Sequence, residues 1–350
     1  MSRRGRPILR FETWISSSQR VLQSGRHFWP SRVQGIVSNI AILIPSFNSE
    51  STIEDTLASV RSQQDLARVQ AVYLADDHST DNTITRAERA WRSDRPLRVF
   101  VRSSNCGERK NVNTGIHQLA SDVDWVLVLH SDDIAKSHWI STMLSRIEDC
   151  PRTVATICSS WDVLHIDGQV EPGEDNLKRP VELILGNPEA VRGTLLNGCW
   201  WHISGCAIRI AAFRDVGEFL PDMPQLGDWE WLLRCLARGW SVEYVPRTLI
   251  LYRNHGASVS SNSFRMHRDV LEALRVLRAH IGYLSAAELV RVHAKRANHL
   301  LHRVAGSVSR LQIERLARAI FMLGVTAINL AHCLAQKAHA VYVRRNSVEA

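Results

Sequence analysis

Three polar clusters along the sequence contain the side chains best suited to chemistry. The clusters are Pro45–Asn48, Asp76–Asp81 and His130–Asp133. The paired carboxylates of the second and third clusters can accept hydrogen bonds or supply the oxygen ligands that Mg²⁺ and Mn²⁺ prefer. The same residues also suit a plain polar turn or a helix cap, with Asp81 capping one helix and the pair Asp132-Asp133 another. Their meaning therefore depends on the elements that position them.

Short apolar runs rich in branched residues predict buried strands ahead of these clusters. The predicted strands are Ile40–Pro45, Val69–Ala75, Leu97–Val101 and Trp125–Leu129. The predicted helices begin at the capping-box sequence Ser51–Glu54 and span 81–91, 108–119 and 135–148. This alternation predicts a doubly wound, mostly parallel α/β sheet with helices on both faces. Ligands bind beyond the carboxyl ends of such strands, so we expect the three clusters to converge there.

After residue 150 the pattern is less regular. A Gly-, Pro- and Glu-rich stretch at Asp167–Pro180 indicates a loop. The predicted elements around it are strands at Val154–Ser159 and His202–Arg209, a helix at Asp228–Ala237, and strands at Ser241–Val245 and Leu249–Tyr252. From Phe264 onward, helical spacing of apolar residues predicts several helices. The run Ala319–Ala335 is nearly uncharged but shorter than the ~20 residues of a spanning helix, so we predict a buried or interfacial helix there.

Charge divides the chain into three parts. Residues 1–38 carry seven Arg and one Glu, and residues 264–350 carry 14 Lys or Arg against five Asp or Glu. The whole chain has a net charge of +8, so residues 39–263 must be acidic. We therefore predict a basic N-terminal extension at 1–38, a core domain at 39–263 and a basic helical C-terminal region at 264–350.

Composition also bears on the cellular setting. The seven cysteines are scattered without a CxxC pair, which favours reduced cytosolic thiols, and residues 1–38 lack the apolar core of a secretory signal. The basic ends could meet anionic lipid, nucleic acid or an acidic protein, or could serve solubility alone. Nucleic acid is disfavoured because no nucleic-acid motif accompanies the charge. We expect a cytoplasmic protein, and our favoured hypothesis for the ends is attachment to the inner face of the plasma membrane.

Five groups of residues, in this order, resemble the family 2 glycosyltransferases of the GT-A fold. They are Ile44–Asn48 with Ala75–Thr83, Asn105–Gly107 with Asn113–Gly115, Leu129–Asp133, Gly227–Arg234 and Tyr252–Ser260. The resemblance covers residues 40–261 and leaves both ends outside it. It implies an inverting enzyme that moves a sugar from a nucleotide-diphosphate donor to a hydroxyl of a glycan or lipid-linked acceptor.

The resemblance also implies roles at single positions. Donor binding is expected of Pro45, Asn48, Asp76, Asp77, Asn105, Gly107, Asn113, His130, Asp133 and Arg253. Mg²⁺ or Mn²⁺ is expected on Asp132, with His255 of the closing loop as a further ligand. His130 departs from the family pattern, because an Asp usually stands there.

Val112 is a second departure, since the family often has an Arg at this position. Arg109 or Lys110 is the candidate replacement for that phosphate-binding cation, and ordinary surface charge is the alternative reading.

Asp228 is the candidate general base, with Glu230 in reserve. In an inverting transfer a carboxylate removes the proton of the attacking hydroxyl. N-capping of the following helix is the plain alternative for Asp228. Four tryptophans could form a wall for an acceptor sugar or could pack in the core, namely Trp200, Trp201, Trp229 and Trp231.

Two other functions are open at this point. One is a catalytically degenerate member of the same fold that binds nucleotide or glycan without turnover, which the unusual His130 favours. The other is a nucleotidyltransferase, which is disfavoured because no Gly-rich, Lys-bearing phosphate motif precedes Asp76.

Overall fold

The apolar run IAILIPS forms the first strand, β1 (Ile40–Ser46), and all of its side chains are buried. The computed structural model describes residues 38–173, 181–254, 267–308 and 313–346. Strand β1 pairs in parallel with β2 (Val72–Asp76) on one side and with β4 (Trp125–Val128) on the other. Ser46 lies opposite Asp76, so β1 and β2 end side by side at the carboxyl edge of the sheet.

The other elements follow in chain order within these described ranges. The remaining strands are β3 (Leu97–Val101), β5 (Ile134–Ala135), β6 (Val154–His165), β7 (Val170–Glu171), β8 (Glu182–Ile184), β9 (Ala207–Arg209) and β10 (Ser241–Asn254). The helices are α1 (Ile53–Arg61), α2 (Thr83–Ala90), α3 (Glu108–His117), α4 (Trp139–Asp149), α5 (Pro188–Asn197), α6 (Ile210–Val216), α7 (Gly227–Ala237), α8 (Arg268–Ala279), α9 (Ala286–Val308) and α10 (Ile313–Asn346).

One sheet runs through the domain in the order β3-β2-β1-β4-β9-β6-β10-β5, with β7 on β6 and β8 on β10. The first four strands are parallel, as are β6 and β10. Strand β9 lies antiparallel between these two parallel sets. The predicted mostly parallel sheet is therefore confirmed.

Alternate residues of β1 point to opposite faces of the sheet, as the period of two requires. Leu43 joins a core cluster with residues of α3, α6 and α7, whereas Ile42 joins a second cluster with residues of α1 and α4. Helices thus cover both faces, and the doubly wound α/β prediction is confirmed.

Several predicted boundaries are wrong for tertiary reasons. The capping box at Ser51–Glu54 does not form: Thr52 is the N-cap of α1 and makes no capping bond, because its hydroxyl donates to the carbonyls of Ser49 and Ser131. Strand β2 begins at Val72 rather than Val69.

The predicted helix at 135–148 begins four residues later, at Trp139. Residues Ile134 and Ala135 instead form β5, which pairs with Ile250 and Leu251 of β10. Because His138 is the N-cap of α4, the alternative that Asp132-Asp133 caps this helix is wrong.

The second half of the domain holds further differences. The two strands predicted at Ser241–Val245 and Leu249–Tyr252 are one strand, β10, whose register with β6 shifts between Val245 and Thr248. Pro246 falls in that shift, where a residue without an N–H does not break the ladder. Helices α5 and α6 were not predicted, and the strand predicted at His202–Arg209 shortens to β9.

The C-terminal region is helical, as predicted, over the residues that the structure describes. Helix α10 is 34 residues long, twice the apolar run Ala319–Ala335 that indicated it. By length and composition, its segment Ile313–Ala340 is the one described helix that could cross a membrane. The predicted boundary after residue 38 borders residues outside the described ranges, and the predicted boundary after residue 263 falls among such residues. The three-part division therefore remains a prediction.

Candidate active site

Asp76 and Asp77 lie where β2 ends, and both side chains are buried. Asp76 accepts hydrogen bonds from the hydroxyls of Ser46 and Ser79 at 2.9 and 2.6 Å, and from the Ser79 N–H at 2.7 Å. These bonds occupy both oxygens and fix the turn that follows β2. Asp76 therefore shapes the edge of the sheet, and its predicted contact with a donor stays a prediction.

Asp77 fixes the loop that leads into α3. Its carboxylate accepts the backbone N–H groups of Cys106 and Gly107, at 2.9 and 2.7 Å, and lies 3.5 Å from the Arg102 guanidinium. Gly107 has a φ of +85°, in the region that favours glycine, and precedes the first residue of α3. Through this loop, Asp77 sets the position of the N-terminus of α3.

The first residue of that helix, Glu108, reaches across to the third polar cluster. A Glu108 carboxylate oxygen lies 3.3 Å from Nε2 of His130. Burial alone would raise the pKa of Glu108, but Arg109 and His130 outweigh it and lower that pKa to about 2. Burial would lower the pKa of His130, but the Glu108 carboxylate outweighs it and raises that pKa to about 9. His130 is therefore an imidazolium cation where the family usually has a carboxylate.

Asp133 anchors the loop that carries His130 and Asp132. Its oxygens accept from the Ser204 hydroxyl at 2.5 Å and from the Arg253 N–H at 3.0 Å. Ser204 also accepts the N–H of His130 at 3.0 Å. Burial and the neighbouring Asp132 raise the pKa of Asp133. The position of Asp132 is thus set by residues from β10 and from the segment before β9.

Arg253 closes the same loop from the end of β10. Its Nε donates to the backbone carbonyl of Asp132 at 2.8 Å, and its Nη2 donates to Asp55 of α1 at 3.3 Å. The predicted site residue Arg253 therefore lies at the candidate centre. His255, predicted as a metal ligand, falls outside the described residues.

The group His130, Asp132 and Asp133 could hold a metal ion, because one ligand atom from each lies within 4.8 Å of the others. Carboxylate oxygens suit Mg²⁺ or Mn²⁺, so the residues fit the predicted ion. Nε2 of His130 already faces the Glu108 carboxylate at 3.3 Å, so the carboxylates are the ligands of this group that best suit the ion. Asp133 is 1% exposed whereas Asp132 is partly exposed, so Asp132 is the carboxylate of this group that an ion reaches more easily.

Asp228 lies in the first turn of α7 and connects to the same centre through Arg109. The Arg109 side chain is 4% exposed, and its Nη2 lies 3.7 Å from Asp228 while its Nη1 lies 3.2 Å from Glu108. Gly227 leaves room for it, since a Cβ there would come within 3.2 Å of the Arg109 Nε. Four groups of alternating charge therefore run from His130 through Glu108 and Arg109 to Asp228.

Glu230, the reserve base, lies elsewhere on α7. Its carboxylate pairs with Arg234 at 2.8 Å, and Arg234 also donates to the carbonyls of Val216 and Glu218. Glu230 thus holds α7 against the end of α6. The structure favours Asp228 over Glu230 as the group that faces the centre.

The other predicted donor residues fall into two sets. Pro45 is the last residue but one of β1 and lies opposite Ala75, and the side-chain carbonyl of Asn48 accepts the N–H of Thr80, so both lie at the same edge as Asp77. Asn105 is exposed in the loop before Gly107. Asn113 is buried instead, with both ends of its amide bonded to Phe219. That contact ties α3 to the segment before α7, and a donor role for Asn113 stays a prediction.

Sequence reasoning missed Glu108, His202 and Ser204. Ser204 lies 71 residues beyond its partner Asp133, and no local pattern marks such a pairing. Nδ1 of His202 donates to the Ser204 carbonyl at 3.2 Å, and burial, aided by the His130 cation, lowers the pKa of His202. The His202 ring packs 5.0 Å from Trp161 and 5.5 Å from Tyr252, measured between ring centroids.

The structure decides between the two alternatives for the four tryptophans in favour of core packing. Trp201, Trp229 and Trp231 are at most 2% exposed, and Trp200 is 8% exposed. They pack inside the core, where Trp201, Trp231 and Phe219 form one aromatic cluster. Trp161 of β6 and Tyr252 of β10 are partly exposed beside the centre, and their rings contact the His202 ring from either strand.

Comparison with known proteins identifies the domain that carries this site. Residues 41–166 match the family model described as glycosyl transferase family 2. These residues, somewhat more than a third of the chain, are similar to glycosyltransferase family 2, and the predicted enzyme class, a glycosyltransferase, is confirmed. The matched residues of this glycosyltransferase include Asp77, Glu108 and the 130–133 loop.

Relatives agree in sequence and in fold. The chain is 23% identical over 250 residues to an uncharacterized glycosyltransferase of Haemophilus influenzae, covering 70% of this chain and 73% of that protein. It is 23% identical over 227 residues to TuaG of Bacillus subtilis, a putative teichuronic acid biosynthesis glycosyltransferase, covering 65% and 83%. The crystal structure of S. aureus TarS 1–349 in complex with UDP-GlcNAc matches with a TM-score of 0.62 and 19% identity over 83% of this chain and 81% of that one. The predicted GT-A-type fold is confirmed.

Proposed function

We propose that this protein transfers a sugar, with inversion, from a uridine-diphosphate donor to a hydroxyl of a cell-envelope glycan or a lipid-linked acceptor. The observation that carries the proposal is the N-terminus of α3. Gly107, Glu108 and Arg109 are consecutive, and they contact Asp77, His130 and Asp228 respectively. Three polar groups far apart in the chain therefore surround one helix end. The fold likeness to TarS bound to UDP-GlcNAc supports the uridine donor.

The charges at this helix end suit a diphosphate. His130 and Arg109 are cations, and a helix N-terminus carries partial positive charge. Arg109 Nε is buried and makes no hydrogen bond to any described residue, while Nη1 lies 3.2 Å from a Glu108 oxygen. A ligand oxygen could accept a hydrogen bond from such a group, whereas a buried donor left without a hydrogen bond costs about 1–3 kcal/mol.

A divalent cation on Asp132 would neutralise the charge of the donor diphosphate and help it leave. The chain's own residues set up the remaining steps. Ser204 and Arg253 hold Asp133 and so fix the loop that presents Asp132. Asp77 fixes the loop before α3, against which the nucleotide would bind.

Asp228 is the proposed general base. Asp228 is 8% exposed at the start of α7, and Arg109 lies 3.7 Å from its carboxylate. A carboxylate at this point can accept the proton of the acceptor hydroxyl. Trp161 and Tyr252 offer partly exposed ring faces near the same centre, on which a sugar could pack.

The acceptor class and location are also part of the proposal. TuaG, a relative that matches over most of its length, is named for teichuronic acid biosynthesis, which favours an envelope glycan. The basic ends of the chain favour a position at the cytoplasmic face of a membrane, where lipid-linked acceptors are available.

A donor screen tests the chemistry. The purified protein is incubated with a panel of nucleotide-diphosphate sugars and Mg²⁺ or Mn²⁺, and mass spectrometry follows loss of the sugar. We expect turnover of a uridine-diphosphate sugar, and the Asp132→Ala variant should lose it by about 10²-fold or more. Asp94→Ala is the matched control, because Asp94 is exposed and far along the chain from the 130–133 loop.

One alternative has an observation in its favour. His130 replaces the usual carboxylate and is held as a cation by Glu108, so the site could bind a nucleotide without turning it over. Calorimetry that shows binding of UDP, together with no loss of sugar from any donor, would establish a binding protein and refute the enzyme.

A further inference from the structure

Helix α10 presents an apolar face to the outside of the protein. The side chains of Ile320, Phe321 and Ile328 are 55%, 69% and 71% exposed. Ala317, Gly324 and Ala331 are exposed beside them, and Ile313 at the start of the helix is 78% exposed. We call these seven residues the outer face of α10. Large aliphatic and aromatic side chains rarely cluster in this way on a free surface.

The outer face is uncharged over several turns. No Asp, Glu, Lys or Arg occurs from Ala319 to Gln336. At 100° per residue, the outer face lies opposite the buried positions Ala319, Met322, Thr326, Asn329 and Cys333. One side of α10 is therefore packed on the protein and the other side is apolar and exposed.

The packed side shows that α10 lies along the protein and does not leave it. Asn329 Oδ1 is 3.0 Å from Nε2 of His293 on α9, and both side chains are buried. Met322 packs in a cluster with Leu300 of α9 and Leu274 of α8. A helix that crossed a bilayer alone would lose these contacts and expose polar groups to hydrocarbon. The outer face can therefore contact another surface only on the side of α10 that points away from α8 and α9.

Charge indicates what that surface is. Arg315 and Arg318 precede the uncharged stretch, and Lys337, Arg344 and Arg345 follow it. Residues 264–350 carry 14 basic against five acidic residues, so a second copy docking here would bring two strongly basic regions together. An anionic lipid surface complements the same charge, and each basic residue near it contributes about 1 kcal/mol. Positive charge thus flanks the uncharged stretch at both ends along the chain, where Arg318 also pairs with Glu314.

We infer that the outer face of α10 docks into one leaflet of a membrane that contains anionic phospholipid, with the helix lying in the plane of the headgroups. The inference rests on the proposed function only for its purpose, which is to bring the active site to a lipid-linked acceptor. The docking itself depends on the helix and its charge alone.

Vesicle sedimentation tests the docking. The full-length protein is mixed at low salt with vesicles of phosphatidylglycerol and phosphatidylcholine, or of phosphatidylcholine alone. We expect wild-type protein to pellet with the anionic vesicles and to be released by high salt. The double variant Phe321→Glu/Ile328→Glu should bind about tenfold more weakly or worse. Ile166→Glu is the matched control, because Ile166 is 90% exposed on the turn before β7.

Each outcome decides the matter. Binding of the double variant like wild type would refute the role of the outer face. Equal binding to phosphatidylcholine alone would refute anionic recognition. Sedimentation velocity that shows a wild-type dimer, split by the double variant, without vesicle binding, would assign the face to a second copy. Donor turnover in solution is measured on the same variants, which remain folded because both side chains are exposed. Absent turnover in every sample would overturn the proposed function and leave the docking result standing.

Discussion

The carboxyl edge of the sheet and helix α10 distribute their polar and apolar groups in opposite ways. At the edge, charged groups are drawn inside: Arg109 is 4% exposed and lies between Glu108 and Asp228. On α10, large apolar side chains are exposed to solvent, and Phe321 is 69% exposed. Each arrangement costs stability unless something binds there, since buried charge and exposed apolar surface are both unfavourable.

These opposite arrangements indicate what kind of partner each region would bind. A small charged ligand at the edge would complete a set of preorganised cations and carboxylates, as transition-state stabilisation requires. An extended apolar surface would cover the outer face of α10. If the two regions act separately, substitutions in one should leave the property of the other unchanged. The three predictions below test that separation, in order of decreasing effect.

The largest effect is expected from Asp228→Asn. The amide keeps the shape of the side chain but cannot remove a proton, so turnover should fall by about 10³-fold. Steady-state kinetics with the donor found in the screen measures the fall. Asp222→Asn is the control, because Asp222 lies six residues before Asp228 in the sequence, is 64% exposed and pairs with exposed Arg275. Full activity in Asp228→Asn would show that Asp228 is not the general base.

A smaller effect is expected from Glu108→Gln, which leaves the partly exposed His130 cation without its partner. The protein should lose about 2 kcal/mol of stability, less than a fully buried pair because both side chains are partly exposed. Donor affinity should also fall, since the charge of His130 is no longer held. Denaturant unfolding at several pH values measures the loss, with exposed Glu88→Gln as control.

The pH dependence of that loss follows from the two pKa values. Glu108 has its pKa lowered to about 2 from 4.5, so its contribution is present above pH 4.5 and is lost as pH falls through 2. His130 has its pKa raised to about 9 from 6.5, so its contribution is full below pH 6.5 and is lost as pH rises through 9. The destabilisation by Glu108→Gln should therefore be largest between about pH 4.5 and 6.5 and should vanish above pH 9. A loss independent of pH would show that the ion pair does not form.

The smallest effect is expected from Asn329→Leu in α10. The change removes the bond to His293 and leaves one buried imidazole nitrogen unpaired, at a cost of about 1–2 kcal/mol. Donor turnover should not change, because α10 lies outside the edge of the sheet. Thermal unfolding and kinetics on the same sample measure both properties, with exposed Asn298→Leu on α9 as control. A fall in turnover without loss of folding would show that the two regions are coupled.

Much of the edge could be predicted because its signals are local. The apolar runs before Asp76 and before His130 predicted β2 and β4, and the ends of parallel strands meet by topology. The carboxylates there were found from type and position alone. The wrong predictions at this edge concern residues that bond to a segment far away in the sequence. Ile134 and Ala135 pair with β10 instead of starting a helix. The hydroxyl of Thr52 donates to the carbonyl of Ser131 instead of capping α1.

Local sequence accounts for most of the order of strands and helices, for the carboxylates at the strand ends, for the basic ends of the chain and for the uncharged stretch after Arg318. These properties depend on neighbouring residues, whose spacing fixes which face they share. Only the tertiary structure decided that Glu108 holds His130, that Ser204 holds Asp133, and that one side of α10 stays uncovered. Those outcomes depend on which distant segments pack together, and packing is set by the whole core rather than by any short pattern.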